Sequence, residues 1–240
     1  QQLPVTVEQK QFNPVSGDFL QGTVKIPVKK EPNKYTRTQF RLKVGSVNYI
    51  QADNGSGKST ACSVIIAGKS PFKDAQVFFN SEQAWVINSA STKALKLSCD
   101  EQLIDEIRER FNVSESHKAE FINAFEEIMK EIGLGYLFPI NTSDASKFSD
   151  GEKSGMVCAA ALAALEWNPQ VKYICFDEAT SYLDLAKRKS LTVLIQRYGS
   201  DWCQPGSKTM VVIEQNANDL YNNACSTNQE TAFQGELKAR

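Results

Sequence analysis

The sequence predicts an α/β fold with a helical subdomain, and three observations carry that prediction. Residues 3–50 are rich in β-branched and alternating residues. Residues 47–67 read as a strand, a glycine-rich turn and a helix. After a helical stretch, the last third of the chain alternates apolar runs of strand length with helices.

The bulk composition sets the frame. A chain of 240 residues is long enough for one large domain or a domain with a subdomain. Its hydrophobic fraction of 41% and charged fraction of 23% are those of a soluble globular protein. The net charge of −1 steers it neither to nucleic acid nor to an anionic membrane, which leaves only local patches for such contacts. No run approaches the ~18–20 apolar residues that span a bilayer. The start, Gln1-Gln2-Leu3-Pro4, has neither a basic nor an apolar stretch, so no signal peptide is expected. It also lacks an initiator Met, which fits a chain processed, trimmed or cut from something longer.

Cysteines stand at 62, 99, 158, 175, 203 and 225 without a C-x-x-C pair, and Cys62, Cys158 and Cys175 sit in apolar runs. That pattern reads as buried reduced thiols of a cytosolic protein, not a disulfide frame or zinc site. The single histidine, His117, lies in a polar segment and is expected at the surface, which argues against Ser-His-Asp or Cys-His catalysis.

The elements follow in order. Val5–Val7, Thr23–Val28 and Gln39–Val44 read as strands, with Gly17, Gly22, Pro32 and Gly45 as punctuation. Val47–Ile50 is a further strand, and a helix runs from the glycine-rich turn to about Ala67. A turn is expected over 68–74 and a strand over 75–79. Residues 101–110 read as helix, as do 116–132, where Phe121, Ile122, Phe125, Ile128, Met129 and Ile132 form one apolar, core-facing stripe. Ser114 or Ser116 is the expected cap of that helix, and Gly133 closes it. Residues 141–147 are a polar connection. The Ala-rich stretch 151–166 is helical and stops at Asn168-Pro169. Residues 171–176 and 209–213 are nearly all apolar, the pattern of strands buried on both faces of a parallel sheet. A helix over 185–197 separates them, and a last short strand is expected at 231–233.

The chemistry centres on Ala52-Asp53-Asn54-Gly55-Ser56-Gly57-Lys58-Ser59-Thr60. Glycines let the backbone fold tightly, so that several N–H groups point at one anion, and the following helix adds its positive end. Lys58 reaches the β- and γ-phosphates of a nucleotide, and Ser59 ligates Mg²⁺. The P-loop pattern asks for glycine where Ala52 stands. Asp177-Glu178 ends the 171–176 strand, where α/β folds bind ligands. Asp177 suits Mg²⁺, and Glu178 suits the orientation or deprotonation of a water.

A third element narrows the family. Phe148-Ser149-Asp150-Gly151-Glu152 resembles the ABC signature LSGGQ, and more closely its LSGGE variant. Ala179-Thr180-Ser181-Tyr182-Leu183-Asp184 resembles the D-loop that follows Walker B in ABC ATPases. These elements stand in the family's order between about residues 40 and 216. The resemblance implies a P-loop NTPase with an ABC-type core, an N-terminal antiparallel β-subdomain and a helical signature subdomain. It divides a single ABC ATPase domain over 1–240 into a β-subdomain and P-loop core (1–82), a helical subdomain (83–165) and the rest of the core (166–240). It further implies ATP and Mg²⁺ at Asn54, Gly55, Ser56, Gly57, Lys58, Ser59 and Thr60, and a head-to-tail dimer in which Ser149 and Gly151 clamp the nucleotide of the other copy. Glu178, Gln215 and Gln83 would be catalytic, with Ser59, Asp177 and Gln83 around the metal.

The chain departs from the family in several places. Asp150 replaces a signature glycine and puts a carboxylate near the γ-phosphate. The glutamine of the insert is Gln83 by identity, whereas alignment on Ala84-Trp85 selects Glu82. Gln215 stands where the family has a histidine, so it donates a hydrogen bond but carries no charge. For adenine stacking the candidates are Tyr35 and Phe12.

Three functions compete. Gln83–Asn88 and Asp177–Ser181 look exporter-like and suit the motor of a membrane transporter, cytoplasmic and peripheral at the inner face of a membrane. Gly151-Glu152-Lys153 and Ile213–Asn216 resemble soluble ABC ATPases, including those of nucleic-acid-linked assemblies, although no long coiled coil separates P-loop from signature as an SMC-type chain requires. Ala52, Asp150 and Gln215 suit a nucleotide-gated dimerisation module with little hydrolysis, against which stand the intact Lys58, Asp177 and Glu178. In either ATPase case the second ABC domain is an identical or a different chain.

Overall fold

The computed structural model describes residues 6–11, 19–28, 30–51, 82–88, 91, 102–204, 208–226 and 232–239; for 6–11, 20–27 and 237–239 the backbone alone is considered. The glycine-rich turn and its helix, the expected turn and strand over 68–79, and Phe12, Cys62 and Cys99 therefore lie outside the described residues. The chain divides into two compact units, Gln1–Val86 with Gln170–Asp177 and Gly199–Arg240, and Ile87–Pro169 with Glu178–Tyr198.

The first unit carries both sheets. β1 (Thr6–Gln11), β2 (Phe19–Pro27) and β3 (Tyr35–Lys43) pair antiparallel. Gly22 was expected to interrupt this stretch, but it lies inside β2, opposite Phe40. A ladder that runs the whole length of β3 outweighs the weak strand preference of one glycine. β4 (Val47–Gln51), β6 (Tyr173–Asp177), β7 (Thr209–Glu214) and β8 (Ala232–Gln234) belong to the second sheet, ordered β5-β6-β7-β4-β8, with β5 (Ala84–Ile87) at its edge. β4 runs parallel to β7 and β8, and β6 runs parallel to β7.

Every residue of β6 and β7 is buried, as their unbroken apolar runs predict. The expected strand at 231–233 is observed as β8. The sequence did not single out β9 (Glu236–Ala239), which completes the antiparallel sheet beside β3. Its Glu-Leu-Lys-Ala alternation is only four residues long, so the signal is weak without its partner strand.

In the second unit, α1 (Leu103–Arg110), α2 (Lys118–Glu131) and α3 (Asp150–Ala164) form a helical core. From the predicted stripe of α2, Phe121, Phe125, Ile128, Met129 and Ile132 are buried, and Ile122 is half-buried. The Phe121 and Phe125 rings stack 5.8 Å apart, and Phe138 meets Phe125 edge-on at 5.1 Å. Neither serine caps α2 through its side chain: Ser114 Oγ pairs instead with Ser116 Oγ at 2.8 Å and His117 Nδ1 at 3.0 Å. A single 3-10 turn over Glu115–His117 leads into the helix and takes over the start. Gly133, at φ 82°, ends it as expected. The bonds Leu134 N–H to Met129 O (2.8 Å) and Gly133 N–H to Lys130 O (3.1 Å) are those of a Schellman close.

α3 is buried from Ser154 to Ala164, because its alanines let neighbouring elements approach from every side. Asn168, itself buried, stops the following turn by donating to Ala164 O and Phe111 O, both at 2.8 Å. α4 (Leu185–Trp202) starts in the second unit and, from Gly199, ends in the first. α5 (Ala217–Ser226) follows β7 in the first unit. Among the described residues no helix is long and apolar enough to cross a membrane.

Candidate functional site

The first unit brings several of the predicted residues to one edge of the parallel sheet. β4, β6 and β7 are parallel, so their C-terminal ends face the same way. Their register sets Gln51 opposite Glu214 and Asp177 opposite Ile213. That edge therefore holds Gln51, which leads into the glycine-rich turn, Asp177, which closes β6, and Gln215, which follows β7. Asp177 is 8% exposed, and Gln215 is exposed. Gln51 Nε2 donates to the Gln215 carbonyl, and Gln51 Oε1 accepts from Asn218 N–H at 3.0 Å. Gln83 precedes β5, and its carbonyl accepts from Lys172 N–H (2.7 Å) and Tyr173 N–H (3.0 Å). This anchors its backbone in the sheet. Glu82 beside it is exposed, as is Tyr35 at the start of β3.

The second unit carries Ser149, Gly151 and Glu178. Ser149 caps α3 in a reciprocal box: its Oγ accepts from Glu152 N–H at 3.1 Å, and Glu152 Oε1 accepts from Ser149 N–H at 2.9 Å. The Ser149 hydroxyl thus accepts from Glu152 N–H and also hydrogen-bonds the Glu152 carboxylate. The N–H groups of Asp150 and Gly151, in the first turn, have no acceptor within the helix. Tyr136 donates its phenol hydrogen to Glu152 Oε2 at 2.7 Å. Burial works against the Glu152 charge, but the hydrogen bonds from Ser149 and Tyr136 prevail and hold its carboxyl below the ordinary range. Asp150 points its carboxylate to solvent, 67% exposed, and pairs with Lys153 Nζ at 3.4 Å.

Gly151 has a second reason to be glycine. A Cβ there would stand 2.8 Å from the Tyr182 carbonyl, so the 179–184 loop packs directly on the start of α3. That loop is held from several sides. Ser154 Oγ donates to Ala179 O at 2.5 Å. The Arg188 guanidinium donates to the carbonyls of Thr180 (3.3 Å), Ser181 (3.0 Å) and Leu183 (3.4 Å). Asp184 accepts from Lys187 Nζ at 2.8 Å and Lys187 N–H at 2.9 Å, which lowers its pKa. Glu178 opens the loop with φ 48°, the left-handed region that non-glycine residues rarely occupy. Ser149, Gly151, Glu152, Tyr136, Tyr182 and Lys187 line a cavity of about 490 Å³.

Sequence reasoning reached Ser149, Gly151, Asp177, Glu178 and Gln215 but missed the residues that hold them. Gln51, Tyr136, Ser154 and Arg188 act through contacts to backbone or to residues far along the chain. Among the holding contacts only the Ser149–Glu152 box had a local signal open to a sequence reading, its S-x-x-E spacing. Asn54, Gly55, Ser56, Gly57, Lys58, Ser59 and Thr60 lie outside the described residues.

A parallel sheet with a buried aspartate at a strand end, in a chain that also carries a unit of helices, defines an α/β fold of the P-loop NTPase type. The profile of the ABC transporter family matches residues 35–181, and the chain belongs to that family, whose general activity is ATP binding and hydrolysis. Solved structures of similar fold include an ATP-binding subunit of an ABC transporter, 14% identical over 92% of this chain and 82% of that one, with a TM-score of 0.55. A protein described as a metal-chelate type ABC transporter in an inward-facing conformation is 16% identical over 99% of this chain and 82% of that one, with a TM-score of 0.52. An RNase-L inhibitor is 19% identical over 87% of this chain but 35% of its own, with a TM-score of 0.51. At these identities the likeness is one of fold. No curated protein matches the sequence.

Proposed function

We propose that the chain binds MgATP, closes head-to-tail on a second ABC domain around it, and hydrolyses it to drive a conformational change in a partner. The observation that carries this reading is the start of α3. Its first turn leaves the Asp150 and Gly151 N–H groups available to an anion, beside a cavity that Ser149 also lines. In this reading Asn54–Thr60 cradle the phosphates, with Lys58 on the β- and γ-phosphates. Ser149 and Gly151 of the second domain approach the same γ-phosphate. Glu178 takes the proton of the attacking water. Gln215 donates to the γ-phosphoryl oxygens, and Gln83 orients water and metal.

The residues present fit Mg²⁺: Asp177 offers a hard carboxylate oxygen at the C-terminal edge of the sheet, and Ser59 a hydroxyl. When bound, Mg²⁺ neutralises charge on the phosphoryl oxygens.

The partner is a transporter membrane subunit or a soluble, nucleic-acid-linked assembly, and the second ABC domain is a like or unlike chain. Gln83–Asn88 and Asp177–Ser181 suit the first, and Gly151-Glu152-Lys153 with Ile213–Asn216 the second. In the transporter reading the protein is cytoplasmic, peripheral at the inner face of a membrane. Gln215 favours a second reading, a nucleotide-gated module with little hydrolysis, because an amide cannot carry the positive charge of an imidazolium.

Lys58→Ala is expected to abolish MgATP binding in calorimetry, and unchanged affinity would sink the P-loop assignment. Glu178→Gln is expected to accumulate dimer with MgATP in sedimentation while losing about 10²–10⁴ in phosphate release. Monomer alone at high protein and nucleotide concentration counts against dimerisation. A parent that releases phosphate no faster than Glu178→Gln selects the gated module.

A further inference from the structure

The turn after β7 is held from outside by one side chain. Gln51 donates through Nε2 to the Gln215 carbonyl and accepts through Oε1 from Asn218 N–H at 3.0 Å. Asn218 lies in the first turn of α5, where backbone N–H groups lack helical acceptors, so Gln51 does from another strand what a capping side chain does locally. Asn218 Oδ1 in turn accepts from Gln234 Nε2 on β8 at 2.8 Å. β8 is the other neighbour of β4, so the amides run across the sheet edge from β8 through α5 to β4. Burial does not explain a glutamine here. Val47 to Ile50 are buried and Gln51 is half-exposed, yet both ends of its amide are engaged on the 215–218 turn. The next residue along the chain is Ala52, the first of the glycine-rich motif.

We propose that Gln51 is a positioning residue that sets the place of Gln215 at the C-terminal edge of the sheet. The inference rests on the reading of Gln215 as the γ-phosphate donor. The β4 backbone and the turn after β7 are separate stretches of chain, and among the described residues the last pair of the ladder between them is Gln51 and Glu214. Beyond that pair, the Gln51 side chain fixes where the Gln215 backbone sits. A misplacement of about 1 Å in a positioned group costs up to about 10² in rate.

The test uses Gln51→Met, which keeps length and flexibility but removes donor and acceptor. Gln51→Glu is its companion and keeps an acceptor for Asn218 N–H without a donor for Gln215 O. Both are made in the whole 240-residue chain, with thermal unfolding as the check on folding. Gln51→Met is expected to lower kcat about ten- to hundredfold while KM and the MgATP Kd stay within about twofold. In a Gln215→Ala background the same change is expected to alter kcat by less than about twofold, since no donor is left to position. A full tenfold loss in that background, or a loss confined to KM, overturns the proposal.

If the parent itself shows no turnover above Glu178→Gln, the ATPase reading fails separately, and amide exchange decides the positioning. Asn218 N–H is expected to exchange at least about tenfold faster in Gln51→Met than in the parent and near the parent rate in Gln51→Glu. Parent-like exchange in Gln51→Met overturns the proposal whatever the protein hydrolyses.

Discussion

At the edge of the parallel sheet, Gln51 reaches Gln215 across 164 positions of sequence, whereas at the start of α3 Ser149 and Glu152 bind each other across 3. The sheet edge is assembled from strand ends that come from the beginning, middle and end of the chain. Elsewhere in the same sheet the chain also meets itself over long sequence distances: at the N-terminal end of β4 and β7 Gly45 N–H donates to Thr209 Oγ1 at 3.0 Å, and Gly235 N–H donates to the Tyr49 carbonyl at 2.9 Å. The α3 start is assembled largely from its own sequence neighbours: the Ser149–Glu152 box, and the Asp150–Lys153 pair at 3.4 Å. A cap of this kind stabilises by about 1 kcal/mol and forms with its helix. The sheet-edge contacts exist only once β4, β7 and α5 are all in place. One site is thus prepared locally and the other by register. Damage should stay close to home in the first and spread through rate, without loss of fold, in the second.

The largest effect belongs to the register-built edge. Gln215→Ala is expected to slow steady-state phosphate release by roughly 10²–10³, and Gln215→His to raise it. Parental turnover is expected below the ~1–100 s⁻¹ usual for phosphoryl-transfer kinases. An unaltered rate in Gln215→Ala would remove Gln215 from the γ-phosphate and break the comparison at its first term.

Gly151→Ala comes next and tests a long-range contact of the α3 start. Its new Cβ, 2.8 Å from the Tyr182 carbonyl, has backbone to displace. A loss of about 1–3 kcal/mol in denaturant unfolding is expected, together with weaker ATP-dependent dimerisation. Full stability would mean the loop shifts freely.

Glu178→Gly separates stability from function. Relief of the left-handed backbone at φ 48° should stabilise the fold by about 1 kcal/mol while hydrolysis is lost. Denaturant midpoints and phosphate release read the two on one sample. A midpoint at or below that of the parent would show that the conformation carries no strain.

The smallest effect is a pH dependence at the cap. The Glu152 carboxyl lies below its ordinary value of 4.5 in the folded chain. Its contribution is therefore fully present above pH 4.5 and is lost as pH falls through the lowered value. After solvent screening it amounts to about 0.5 kcal/mol. Glu152→Gln should flatten this part of the acid limb in pH-dependent unfolding, and Tyr136→Phe should reduce it. An acid limb unchanged in both variants would show that the box contributes no linked stability.

The elements were legible wherever their pattern is local. The α2 stripe, the Gly133 close, the apolar runs of β6 and β7 and the helical span of α3 all follow from periodicity and composition. The Ser114 or Ser116 cap failed because several polar groups compete within four residues, and Ser114 Oγ pairs with Ser116 and His117 instead. Gly22 failed as a break because its strand has a partner along its whole length. At the site, Asp177 and Glu178 were visible as carboxylates after an apolar run, but the positive φ of Glu178 was not. No residue type announces a backbone strain that the surrounding packing imposes.

By itself the sequence determined which side chains are available for chemistry and in what order, and it placed the chain among ABC-type ATPases through motifs a few residues long. It also determined the capped start of α3, since a side chain three positions away is always within reach. The tertiary structure alone decided that β9 returns to the first sheet, that Gly151 must admit the Tyr182 carbonyl, and that Gln51 rather than a neighbour of Gln215 holds the turn after β7. Each of these depends on which strand or loop lies alongside. That is fixed by burial of the whole core and by sheet register, quantities spread over the chain and encoded in no single stretch of it.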